Sequence, residues 1–150
     1  MLALIRPDSW NLPLFVHVLG AMILMGGLLT SATALAVSHG RASLLRLGYF
    51  SLFAVALPGY ILMRVGAEWI YSKEGLEDAP SDPAWVGIGY ITADAGALLL
   101  LIALIIGGIG VRKLRTGNSG AALAKTSMII SIVLLIAYVV TIWAMGAKPS

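Results

Sequence analysis

Residues 85–111, WVGIGYITADAGALLLLIALIIGGIGV, decide the fold. The run is apolar throughout apart from one charge, Asp94. It exceeds the roughly 20 residues, at 1.5 Å rise each, that a helix needs to cross a bilayer. A barrel strand would alternate apolar and polar positions, and this stretch does not. In hydrocarbon every backbone N–H and C=O must be paired within the segment, so a continuous apolar run of this length reads as a helix. Residues 12–37, 47–70 and 124–146 have the same character. The expectation is an all-α membrane protein, an antiparallel bundle of four transmembrane helices forming a single domain over 1–150.

Composition agrees. Of 150 residues, 59% are hydrophobic and 11% charged, with a mean hydropathy of +0.95. A soluble domain has too little polar surface at this composition to cover its apolar area. The net charge of +3 sits in short connections between apolar runs, so no nucleic-acid role is expected. The chain has no cysteine, which excludes disulfides, thiolate metal sites and thiol catalysis.

The connections set an orientation. Residues 39–46 and 112–125 carry Arg41, Arg46, Arg112, Lys113, Arg115 and Lys125 and no acid. The connection 71–84 carries Glu74, Glu77, Asp78 and Asp82 against one lysine, and Trp10, Trp69, Trp85 and Trp143 mark the same boundary. Lysine and arginine are retained on the cytoplasmic side, and indole rings settle at headgroup level. This predicts a multi-pass protein of a bacterial plasma (inner) membrane with both termini outside the cytoplasm. The first span is read as retained rather than as a signal peptide, because Arg41 and Arg46 follow its apolar core instead of preceding it. Locally, Asp82-Pro83 reads as the N-cap and first position of the third helix, with Asn11 and Pro13 serving the first, and Pro58-Gly59 predicts a kink in the second.

Each span also places a polar group in one layer towards the acidic end. Counted inward at 1.5 Å per residue, His17 and Arg64 lie roughly 8–9 Å deep, Tyr138 roughly 12 Å and Asp94 about 14 Å. Tyr60, Arg64 and Glu68 recur every four residues and share a helix face, as do Tyr90, Asp94 and Ala97. A charge at bilayer depth costs about 2.5–3.5 kcal/mol on insertion scales, so Arg64 should pair with Asp94, with Glu68 or Tyr138 taking the remaining hydrogen bonds. Two readings stand. His17, Tyr60, Arg64, Glu68, Asp94 and Tyr138 form a ligand-binding pocket, or they form a buried ion pair that fixes helix register.

His17 is the candidate metal or haem ligand. A bis-histidine haem within one chain is excluded, because His39, the other histidine, lies roughly 30 Å along the same helix. A single-ligand haem, a His–Met haem using Met63, or a site shared between chains remains open. Met22 and Met25, three apart, give a copper reading beside the plainer one of flexible packing. Gly26, Thr30, Ala34 and Ser38 on the first span, and Gly89, Ala93 and Ala97 on the third, form small-residue stripes that suit close helix packing or a homodimer face. Ser127, Ser131 and Tyr138 should face inward. No phosphate loop, H-E-x-x-H or serine–histidine–acid set is present.

The run Phe15-Val16-His17-Val18-Leu19-Gly20-Ala21, followed by Met25-Gly26-Gly27, resembles the opening helix of a family of small bacterial four-span membrane proteins that carry a domain of unknown function. These in turn are similar to the membrane part of copper-resistance D-like proteins. The resemblance covers about a dozen residues, a His-x-x-Gly start and a later glycine pair, and otherwise rests on size and layout. It implies a bacterial inner-membrane protein with His17 as the position carried over, and by analogy a metal or haem role there. The chain departs from a full redox bundle in having no further histidine deep in a span. The functional expectation is a non-enzymatic accessory subunit or small carrier, surrounded by lipid and working as a homodimer or in a larger membrane complex, with no cofactor. The alternative is a haem- or copper-binding redox protein using His17.

Overall fold

The computed structural model describes residues 7–78, 81–117 and 119–147; positions 79–80 and 118, in two of the expected connections, lie outside the described residues. The helices are α1 (Asn11–Ser38), α2 (Ala42–Ser51), α3 (Leu57–Lys73), α4 (Ala84–Arg115) and α5 (Ala121–Ala147). A π-helical turn, Leu52–Ala56, joins α2 to α3, so the two make one continuous span. Among the described residues four helical stretches, Asp8–Ser38, Ala42–Lys73, Ala84–Arg115 and Ala121–Ala147, are long and apolar enough to cross a membrane.

The helices outrun the apolar runs because polar flanks continue them. The last turn of α4 carries Arg112, Lys113 and Arg115, cations that favour the partial negative charge of a helix C-terminus. The disturbance expected at Pro58-Gly59 takes the form of the π turn. Pro58 has no N–H to donate and its ring crowds the carbonyl four residues back, and the wider turn just ahead of it absorbs both effects. Two helix starts differ from expectation. Asp82 does not cap α4: Pro83 takes the N-cap position without a side-chain bond, while Asp82 Oδ1 accepts from the Tyr71 hydroxyl at 3.0 Å. Asn11 is already helical, because a 3-10 turn, Asp8–Trp10, starts the helical course earlier.

Burial on every span repeats in steps of three and four. On α4 the buried positions are Val86, Gly89, Ala93, Gly96, Leu100, Ala103, Gly107 and Gly110, with Val111 beside them. On α5 they are Ala124, Ser127, Met128, Ser131, Leu134, Tyr138, Thr141 and Ala144. This is the seam of a left-handed antiparallel bundle. The seam between α1 and α3 is made of backbone. A Cβ at Gly66 would run into His17, one at Gly59 into Leu24, one at Gly27 into Ala56 and one at Gly20 into Met63. Lipid tails are as apolar as leucine, so close van der Waals approach at small residues is what joins helices in a membrane.

The glycines that pack on α1 are therefore Gly20 and Gly27, seven apart. The stripe expected from Gly26 and Thr30 is not the packing face: an added Cβ at Gly26 meets nothing within 4 Å, and Thr30 is exposed, its hydroxyl bonded to the Gly26 carbonyl of its own helix. Ala34 and Ser38 are buried. On α4, Gly89 and Ala93 are buried and Ala97 is half-buried. Serines pin the seams: Ser51 Oγ donates to the Gly27 carbonyl at 2.7 Å and Ser127 Oγ to that of Ala103 at 2.6 Å. The Ser31 and Ser131 hydroxyls meet 3.1 Å apart between α1 and α5.

This packing separates two substitutions that look alike in sequence. Gly59→Ala should destabilise the protein in detergent by about 1–3 kcal/mol, the usual penalty of overpacking. Gly26→Ala, in open space, should leave it unchanged or raise it by up to about 1 kcal/mol through helix propensity. Thermal unfolding of both variants checks this, and equal effects would refute the seam.

Candidate functional site

At the acidic end, where α1 and α4 begin and α3 and α5 finish, the four spans do not close on one another. Between them lies a cleft of about 820 Å³, within the range of small-molecule sites. Its walls come from α1, α3, α4 and α5 and are largely apolar, including Leu14, Ala21, Leu24, Met63, Ala67 and Val86. The exposed members of the lining are Val18 and Met22 on α1, Glu74 just after α3, and Ile142 and Gly146 on α5. Val18, Met22 and Ile142 mark a side opening between α1 and α5.

The opposite seam, between α3 and α4, is held by side chains. The two backbones barely approach, and polar groups span the gap. Arg64 Nη2 lies 3.1 Å from Asp94 Oδ1 on α4 and 3.2 Å from Glu68 Oε1 one turn along its own helix. Its guanidinium sits 4.8 Å from the centre of the Tyr90 ring, a cation–π distance. Tyr60 Oη donates to the Ala93 carbonyl at 3.1 Å, and Tyr71 meets the Tyr90 ring edge-on at 5.6 Å. Tyr60, Arg64, Glu68 and Asp94 thus come together as one group. The Arg64 side chain is 28% exposed, against 52% for Glu68 and 67% for Asp94. The cation therefore lines the cleft, while both carboxylates stand on the exposed side of the seam, outside the cleft's lining.

His17 stands on the other side of the cleft. Its backbone lies against Gly66, and its Nδ1–H donates to the Met63 carbonyl at 2.9 Å. In that tautomer Nε2 is the acceptor nitrogen. Met22, Met25, Met63 and Met145 line the same cleft. Among the described residues no three histidine, cysteine or carboxylate side chains gather as a ligand set for a metal.

Tyr138 closes the floor. It is 4% exposed and its hydroxyl lies against Gly96, where any Cβ would collide with it. Of the two groups expected to take the remaining bonds of Arg64, Glu68 does so, and Tyr138 Oη is buried without a partner. Among the described residues, the other buried side-chain polar atoms without a partner are Arg46 Nε and the Tyr90 hydroxyl. The Tyr90 hydroxyl has the Glu68 carboxylate beside it, short of a well-formed hydrogen bond. Met22, Met25 and Met63 were candidate sulfur ligands in sequence, whereas Met145 and the ring contact of Tyr90 with Arg64 were not read as part of a site; the four-residue spacing of Tyr90 to Asp94 was the available signal. Compared with protein-family models, curated proteins and solved structures, the chain matches none.

The pairing makes an ordered prediction. Arg64→Ala removes both ion pairs and the contact with Tyr90, so it should destabilise more than Asp94→Ala or Glu68→Ala, each of which leaves Arg64 one partner. The Arg64–Asp94 coupling in a double-mutant cycle should be about 0.5–1 kcal/mol, the scale of partly exposed pairs. Strictly additive losses would show that the two do not interact.

Proposed function

We propose that this is a non-enzymatic bacterial inner-membrane protein, an accessory subunit or small carrier, whose cleft takes up a small amphipathic ligand from the membrane. The carrying observation is the cleft itself: apolar walls, the charged Arg64 and Glu74 among its lining, and a side opening at Val18, Met22 and Ile142. Ligand sites of this kind are concave and mostly apolar, with a few placed polar groups. We place the acidic end and both termini outside the cytoplasm. The one-sided distribution of basic residues and indoles supports this.

A second reading is favoured by one specific observation. The bond from His17 Nδ1 to the Met63 carbonyl leaves Nε2 free in a cleft that also presents thioethers, and metal-ligating histidines ordinarily donate their other ring N–H in this way. The residues fit a His–Met pair. His17 would supply the imidazole, Met22, Met25, Met63 or Met145 the sulfur, and the bound haem or copper the electron-transfer chemistry.

Two measurements test these readings. Protein purified from native membranes should carry a small molecule detectable by mass spectrometry, and Ala67→Trp, which fills the cleft, should lose it; retention in the filled variant would overturn the cleft reading. An absorption spectrum of the same preparation decides the second, since a stoichiometric Soret band lost in His17→Ala would replace the first reading with a redox protein. For orientation, a cysteine at Glu77 should label from outside intact cells and one at Thr116 should not. The reverse pattern would invert the topology.

A further inference from the structure

Two carboxylates stand on the outside of the bundle within its apolar spans. Asp94 and Glu68 each expose more than half of the side chain, and neither lines the cleft. Asp94 lies roughly 14 Å inward of Trp85 along α4, at 1.5 Å per residue, in a hydrocarbon core about 30 Å thick. Glu68 turns inward from beside Trp69 to reach the same Arg64 guanidinium. Their exposed neighbours at helical spacing are apolar: Ile61 and Val65 on α3, Ile91 and Leu98 on α4. Ionisable groups in a span ordinarily face the bundle interior or a water-filled cavity. These two face outward.

The charges on this face do not cancel. Arg64 brings one positive charge against the two carboxylates it contacts, so one negative charge is left over. Lipid tails offer it no partner, and headgroup cations lie out at the level of the indoles. A second copy of the chain has none to give either. In a two-fold contact the same patch meets itself, which sets acid against acid. Arg64 is also the one lysine or arginine in the acidic half of the apolar runs, and it is already engaged.

We propose that the outer α3–α4 face docks against a transmembrane helix of another protein, one that carries a lysine or arginine level with Asp94. The proposal rests on the accessory-subunit reading above and not on the cleft. The partner's cation would complete the charge of the Arg64, Glu68 and Asp94 group, and its apolar flanks would cover Val65 and Leu98.

The test reconstitutes the full chain in phosphatidylcholine vesicles with single-span alanine–leucine peptides and reads association by energy transfer. Three peptides differ at one residue level with Asp94: lysine, leucine or glutamate. The lysine peptide should associate about fivefold more tightly than the leucine peptide, the scale of one polar contact between helices in a bilayer, and the glutamate peptide should not. Asp94→Asn should abolish this preference. Leu98→Trp, which leaves the Arg64 pairs in place, should block the lysine peptide at an unchanged melting temperature. Glu77→Gln in the connection and Ala67→Trp in the cleft should have no effect on it. Equal association of the lysine and leucine peptides, or a preference that survives Asp94→Asn, overturns the proposal. So does self-association that is lost in Leu98→Trp, which would assign the face to a second copy. A photocrosslinker at Leu98 in native membranes tests the underlying reading separately. A crosslinked span with a lysine or arginine at that level supports the proposal; one without it overturns the proposal and leaves the accessory subunit standing. No adduct to another protein overturns the accessory-subunit reading itself, and the proposal with it.

Discussion

Backbone contact between α1 and α3 is the constraint on which the remaining structure depends. Gly20 and Gly27 on one helix and Gly59 and Gly66 on the other bring the two within reach of backbone atoms; on α4, Gly110 meets the backbone at the start of α5, while Gly96 and Gly107 receive the side chains of Tyr138 and Ser127. Two tight pairs result, and the space between them is filled unevenly. Towards the basic end, Leu28, Leu52, Leu100 and Leu134 pack with serines at the seams. Towards the acidic end the facing positions are small, Ala21, Gly89 and Ala93 among them, and the volume they leave is the cleft. The same choice of small residues that closes each pair opens the site between them.

The α3–α4 seam shows the other consequence. With few close backbone contacts to hold it, this seam depends on long side chains, and all of them are polar or aromatic: Arg64 to Asp94, Tyr60 to the Ala93 carbonyl, Tyr71 to Asp82 and to the Tyr90 ring. A buried or half-buried ion pair is weak evidence for stability by itself, because desolvation offsets the Coulomb gain. Here it spans a gap that apolar packing does not fill. The register reading and the pocket reading of Arg64 are therefore compatible, since the pair that fixes α3 against α4 also builds one wall of the cleft.

The spans were legible because hydrocarbon leaves helices as the way to pair a long apolar backbone. The Arg64–Asp94 contact was legible for a related reason: an isolated charge at that depth needs a partner, and the candidates were few. Which glycines pack was not legible. The first span has Gly20, Gly26 and Gly27, and a step of four from Gly26 reads as well as a step of seven from Gly20 until the partner helix is known. Asp82 misled because a capping residue and a loop hydrogen-bond acceptor look identical in sequence. The inward direction of Tyr138 could be read from its spacing to Ser131, but the lack of a partner for its hydroxyl depends on the room left at Gly96 by a different helix.

The chemistry of His17 also follows from the glycine seam. Because Gly66 has no side chain, the backbone of α1 at His17 lies directly against α3. This brings the imidazole within 2.9 Å of the Met63 carbonyl. A carbonyl oxygen only accepts, so Nδ1 carries a proton, and in the neutral tautomer the lone pair lies on Nε2. A larger residue at position 66 would move α1 outward, lengthen that bond and release the choice of tautomer. The seam that assembles the bundle thus also determines which nitrogen of its one deep histidine carries the proton.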